Sequence, residues 1–181
     1  MITFKQHQIK IISKTLNEGQ VVALPTDTVY GLACNFNDDN AINQIYKIKN
    51  RNINKPLPIL VGSWDVAKLI GVISDELELY LKTNFPIGEV TFIVSKQPIL
   101  NTSYWNKQSS VAIRVSNSSF IQKLTKITGP LVATSCNLSD SPVITNIDDI
   151  NLPYLKYKVA GPILNNKPSI IFNSFNGKII R

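Results

Sequence analysis

The chain is poor in the residues on which most side-chain chemistry depends. Its 181 residues include two cysteines, one histidine and one methionine. Cys34 and Cys136 are far apart and, with His7, give no metal-ligand spacing and no disulfide framework. His7, near Lys5 and Lys10 on a segment with helical spacing, reads as a surface residue. No paired carboxylates and no Ser–His–Asp set stand out, which argues against proton-shuttling hydrolysis. Neither Gly-x-x-x-x-Gly-Lys-Ser/Thr nor Gly-x-Gly-x-x-Gly occurs, so an ATP site must be of another kind. No apolar stretch approaches membrane-spanning length, and the start lacks an apolar leader; the expectation is a cytoplasmic protein without a membrane partner.

Hydrophobic residues make up 44% and charged residues 17%, a globular balance. The length suits one domain over residues 1–181. Nineteen Lys and Arg against twelve Asp and Glu give a net charge of +7. That excess favours anionic partners, nucleotide phosphates or RNA, although lysines scattered over solvated faces give the same total. Lys47, Lys49, Arg51 and Lys55 come nearest to a cluster and suit a small anionic pocket.

Helical spacing over Lys5 to Glu18 puts Ile9, Ile12 and Leu16 on one face, with Thr3 as a candidate cap and Gly19 as the stop. Val21 to Leu24 reads as a buried strand running into a polar loop. Asp38 and Asp39 cap a second helix through Asn50, on which the Lys49 stem starts near the apolar face and its ammonium reaches an edge. Further strands are expected at Leu57 to Val61, Val90 to Val94, Val111 to Val115 and Leu131 to Thr134. Ser63, Ser74 and Ser118 open helices. Weaker strand signals lie at Lys158–Ala160, Ser169–Phe172 and Lys178–Arg181. This alternation implies an α/β fold, a twisted mixed open sheet with helices packed on it.

Polar clusters sit at the ends of these elements: Pro25-Thr-Asp-Thr-Val-Tyr-Gly-Leu32, Lys49-Asn-Arg51 with Lys55-Pro56, Val111-Ala-Ile-Arg114 and Thr134-Ser-Cys-Asn-Leu-Ser139. They offer hydroxyls, an amide and cations, an inventory suited to binding and orienting anions, as phosphoryl and nucleotidyl transfers require. Thr26 and Thr28 also suit a turn that satisfies its own backbone. Lys49 and Arg51 also suit a helix C-terminus, and Asn137 a cap. Arg114 in an apolar strand is harder to place without an anionic partner.

These four clusters, in this order, resemble the YrdC/TsaC family, the threonylcarbamoyl-AMP synthases of tRNA modification, over nearly the whole chain. The resemblance implies a YrdC/RibB-like sheet around a central basic cavity. It implies a nucleotidyltransferase that joins ATP, L-threonine and bicarbonate into L-threonylcarbamoyladenylate, with Mg²⁺ accompanying ATP and no dedicated protein metal site. A transferase complex then uses the intermediate for the t6A modification of tRNAs reading ANN codons. By the same resemblance Lys49 and Arg51 are catalytic and meet ATP phosphates, and Thr26 and Arg114 bind L-threonine. Thr91, Ser135, Asn137, Val143 and Ser169 then belong to the ATP site.

The chain departs from the family pattern in four places. Pro-Gly-Pro-x-Thr is Ile87-Gly-Glu-Val-Thr91, Ser-Ala-Asn is Ser135-Cys-Asn137, Ser-Gly is Ser139-Asp140 and Pro-Ser-Thr is Pro168-Ser-Ile170. The C-terminal domain of longer relatives is expected to be missing. Two other readings stay open: an RNA-binding module gripping tRNA or rRNA, and a carbamoyl-transfer accessory domain.

Overall fold

In the computed structural model, which describes residues 1–139 and 141–180, ten strands form one sheet. They are β1 Ile2–Lys5, β2 Val22–Leu24, β3 Gly31–Asn35, β4 Ile59–Val61, β5 Val90–Ser95, β6 Ser110–Val115, β7 Leu131–Ser135, β8 Tyr157–Ala160, β9 Ile170–Asn173 and β10 Lys178–Ile179. The spatial order is β1-β8-β2-β3-β7-β4-β6-β5-β9-β10. The pairs β1/β8, β2/β8, β4/β6 and β5/β9 are parallel; the other neighbours are antiparallel, so the sheet is mixed.

Five helices pack on it: α1 Ile9–Asn17, α2 Asp39–Lys49, α3 Trp64–Ile70, α4 Asp75–Asn84 and α5 Ser119–Thr128. Their starts follow local chemistry. The side chains of Asp38, Ser63, Ser74 and Ser118 each accept a main-chain N–H in the first turn of α2, α3, α4 and α5. Asn50 ends α2 in the left-handed conformation, which asparagine tolerates.

Strand alternation divides the core. Ala23, Leu32, Ile59, Phe92 and Val132 point to the face that carries Ile42, Ile45 and Ile48 of α2, with Ala67 and Leu81 of α3 and α4. Val22, Ala33, Leu60 and Leu131 point the other way, onto Ile12 and Leu16 of α1 and Phe120, Ile121 and Leu124 of α5.

Two elements differ from the sequence reading. Thr3 is no cap: it lies in β1, opposite Lys158, and α1 begins only at Ile9 after a turn that carries the exposed His7. Gly31 to Asn35 forms β3, so the loop after β2 joins an antiparallel pair, with Leu24 opposite Gly31. Both strands depend on partners distant in sequence (β8 and β7), a tertiary preference that overrides weak local propensity. Arg181 lies outside the described residues.

Candidate active site

On the face shared with α1 and α5, the sheet is left open over β5, β6 and β9, and a cavity of about 300 Å³ forms there. Its floor comes from strand positions of one parity: Leu60, Thr91, Ile93, Ala112, Arg114 and Ile171. Their neighbours Val90, Phe92, Val111, Ile113 and Phe172 fill the core on the other face. Thr26, Thr28 and Val29 of the β2–β3 loop, Arg51 after α2, Thr134 and Ser135 of β7, and Pro168 and Ser169 before β9 complete the walls. Among the described residues, Arg51 and Arg114 are the cations that line the cavity, and no carboxylate lines it.

The β2–β3 loop holds itself and Arg114 together. Thr26 Oγ1 donates to Val29 O at 2.7 Å and accepts from Thr28 N at 3.1 Å. The two threonine hydroxyls lie 3.2 Å apart, and Arg114 Nη1 donates to Thr28 Oγ1. One proton order satisfies the set: Arg114 to Thr28, Thr28 to Thr26, Thr26 to Val29 O. Arg114 Nη2 lies 3.5 Å from Asp27 Oδ1, while Asp27 Oδ2 accepts from Asn117 N at 2.8 Å. Burial lowers the Arg114 pKa and Asp27 opposes it; the guanidinium stays charged. The turn role of Thr26 and Thr28 and their place at the cavity coexist.

Lys49 behaves differently from its sequence reading. It is 2% exposed and lies behind the cavity wall rather than in it. Its ammonium donates to Ser135 O at 2.5 Å, Asn137 O at 2.7 Å and Asn137 Oδ1 at 3.0 Å, which uses all three protons. Burial pushes its pKa down to about 8, and the Arg51 charge acts in the same direction. Asn137 is likewise buried, accepts from Ser135 Oγ at 2.6 Å and donates to Ser141 O at 2.6 Å. Lys49 and Asn137 therefore back the wall that Ser135 presents. Thr91 and Ser169 face each other across 2.8 Å, joining β5 to the segment before β9. Val143 is half-buried and does not line this cavity.

One family model, described as telomere recombination and named for Sua5, YciO and YrdC, matches residues 14–181. The chain belongs to the Sua5–YciO–YrdC family. It is 32% identical over 181 residues to the threonylcarbamoyl-AMP synthase of Buchnera aphidicola subsp. Acyrthosiphon pisum (strain APS), covering 92% of this chain and 98% of that one. It is 35% identical over 189 residues to the same-named protein of Blochmanniella floridana, covering 96% and 95%. The structure of P. abyssi Sua5 complexed with L-threonine superposes with a TM-score of 0.86 at 26% identity, over 97% of this chain. The chain spans 55% of that archaeal protein. E. coli YciO shares the fold, with a TM-score of 0.85 at 21% identity over 99% of this chain and 92% of that one.

The turn before Thr91, where the family pattern has two prolines around the glycine, is closed here without them. Gly88 has a φ of +90°, and a Cβ there would collide with Asp27 Oδ2. Glu89 N donates to Pro86 O at 3.1 Å, and the exposed Glu89 does not line the cavity. Asp140, which replaces the family glycine, lies outside the described residues. The sequence reading missed Asp27 and Thr28 as parts of the site. The signal was present in the Thr-Asp-Thr run, but only the approach of Arg114 from a strand 86 residues away gives it meaning.

Proposed function

We propose that the chain is a threonylcarbamoyl-AMP synthase, a nucleotidyltransferase that makes L-threonylcarbamoyladenylate and pyrophosphate from ATP, L-threonine and bicarbonate. The observation that carries this reading is the meeting of Thr26, Arg51, Thr91, Arg114, Ser135 and Ser169 around one cavity, in a chain whose near-full-length relatives bear that name.

Bicarbonate takes up a proton and loses water to give CO2; the neutral threonine amine adds to its carbon and releases a proton, giving a carbamate. A carbamate oxygen then attacks the α-phosphorus; the new P–O bond forms as the α–β phosphoanhydride breaks, and the electron pair leaves on pyrophosphate. Arg114 with Thr26 holds the amino acid, the guanidinium facing its carboxylate. Arg51 offsets charge on the phosphates and carbamate, and Ser135, Thr91 and Ser169 orient the nucleotide. Lys49 and Asn137 support that wall, and Lys49 adds positive charge behind it. Three reactants held in register convert a costly encounter into an intramolecular step.

Among the described residues no cluster of three or more His, Cys, Asp or Glu could hold a metal ion. Mg²⁺ is proposed to enter with ATP and to be carried by its phosphates. The same proposal has the adenylate passed to a t6A transferase complex, with tRNA contact a further part of it, in the cytoplasm. No helix among the described residues is long and apolar enough to cross a membrane.

The test is pyrophosphate release from Mg-ATP and bicarbonate, with and without L-threonine, together with mass detection of the adenylate. Threonine-dependent release with the expected adduct is the result anticipated. A folded, ATP-binding protein that releases none would overturn the reading and make a tRNA titration the next measurement.

A further inference from the structure

The connection between β5 and β6, residues 96–109, carries Tyr104 and Trp105, which meet edge-to-face with centroids 4.6 Å apart. The Trp105 indole N–H donates to Phe36 O at 2.7 Å. Asp39, at the start of α2, accepts from Thr102 Oγ1 at 2.5 Å, from Ser103 Oγ and from Tyr104 N at 3.2 Å. Burial works to raise the Asp39 pKa, but these donors outweigh it and hold the carboxyl below its ordinary value. The connection is thereby clamped to α2, which fixes where the Tyr104 side chain arrives.

From there three hydrogen bonds run in series. Leu57 N donates to Tyr104 Oη at 3.0 Å, Tyr104 Oη lies 3.0 Å from Tyr46 Oη, and Tyr46 Oη donates to Lys55 O at 3.1 Å. Tyr46 spends its proton on Lys55 O, so Tyr104 must donate to Tyr46. Both ends of the series are main-chain groups of the segment after α2. Arg51 leans on the same segment: Nε donates to Lys55 O at 3.0 Å and Nη2 to Pro56 O at 3.1 Å. Lys55 O thus accepts from Tyr46 and from Arg51, one bond for each lone pair. Lys55 and Pro56 are themselves exposed, so burial does little to fix their carbonyls.

We propose that the Tyr46–Tyr104 hydroxyl pair is a positioning device for Arg51, setting the two carbonyls that aim its guanidinium into the cavity. This rests on the reading of Arg51 as an ATP ligand. Phenylalanine at either position keeps the ring and its packing and removes the oxygen that holds the segment. The guanidinium then keeps its charge but loses its fixed direction, so binding weakens without unfolding.

The experiment is a double-mutant cycle on ATP affinity, measured by calorimetry on the wild type, Tyr104→Phe, Arg51→Ala and the double variant, with Tyr46→Phe as a second probe and thermal melts as controls. Tyr104→Phe is expected to weaken ATP binding about fivefold in the wild-type background and less than twofold in the Arg51→Ala background. Equal losses in both backgrounds would make the pair merely structural and overturn the inference. So would a loss in Arg51→Ala with none in either tyrosine variant. An Arg51→Ala protein that binds ATP as the wild type does would remove Arg51 from the nucleotide site, ending that part of the functional reading as well.

Discussion

Arg114 and Lys49 are both cations withdrawn from water, one at the cavity and one behind it, yet they are neutralised in opposite ways. Arg114 has a carboxylate, Asp27, 3.5 Å away and a threonine hydroxyl as acceptor. Lys49 meets two carbonyls and an amide oxygen and, among the described residues, no carboxylate. An ion pair offsets desolvation with a full counter-charge, whereas carbonyl dipoles offset part of it, so the lysine titrates at lower pH. Arg51 shares the lysine's situation, resting on the carbonyls of Lys55 and Pro56. Among the described residues, positive charge without a protein counter-ion lies on the side of Lys49 and Arg51, which is where the functional reading puts the phosphates. The side of Arg114 is already balanced, and its specificity comes from geometry.

The comparison is broken most directly at Arg51. Arg51→Ala is expected to reduce threonine-dependent pyrophosphate release by about 10²–10³-fold with an unchanged circular dichroism spectrum; a folded variant of near-normal activity would take Arg51 out of the mechanism.

The Lys49 charge gives the next effect. Its pKa of about 8 lies below the ordinary lysine value of about 10.4. Below pH 8 it is charged in the folded and the unfolded chain alike, and the fold bears the desolvation cost. From about pH 8 upward the unfolded chain binds the extra proton, so this group's contribution to stability rises with pH, by up to about 3 kcal/mol. ATP affinity should fall over the same window as the cation is lost. Urea melts from pH 7 to 10, with Lys49→Met as the variant lacking that rise, measure the first; calorimetry measures the second.

Asp27→Asn sharpens the other side of the comparison. It keeps the shape and removes the counter-charge of a buried arginine, so about 2 kcal/mol of binding is expected to go, seen as a KM for threonine raised roughly 30-fold with a smaller change in the KM for ATP. A change confined to ATP would place Arg114 on the wrong substrate. The smallest effect is expected at Ser169→Ala, which removes the hydroxyl facing Thr91; about 1 kcal/mol, or a severalfold rise in the KM for ATP, is the size to look for.

Legibility in the sequence followed the range of the interaction. The caps at Asp38, Ser63, Ser74 and Ser118 are read within one helical turn and stand where the pattern put them. Strands β4 to β7 are mostly apolar and rich in β-branched residues and are equally plain. Strand β3, written Gly-Leu-Ala-Cys-Asn, has few strand-favouring side chains and is held by β2 and β7. In the site, the motif residues Thr26, Arg51, Thr91, Arg114, Ser135 and Ser169 do converge. The sequence had no means of placing Lys49 behind the wall, because the acceptors that turn its ammonium away from the cavity belong to the end of β7 and the loop after it, 86 and 88 residues on. Nor could it give the Asp27–Arg114 pairing, which needs the β2–β3 loop to close over β6.

The strand order carries a consequence for the birth of the protein. β8 lies between β1 and β2 and pairs with both, so until residues 157–160 are made β1 has no neighbour and β2 has β3 on one side only. Between the synthesis of β3 and that of β8, at about 5–20 residues per second, β2 offers an open edge beside β3 and β1 has no sheet to join. The enzyme's N-terminal strand is therefore among the last parts to settle, and the nascent chain needs its apolar β2 edge shielded for several seconds before its own β8 arrives.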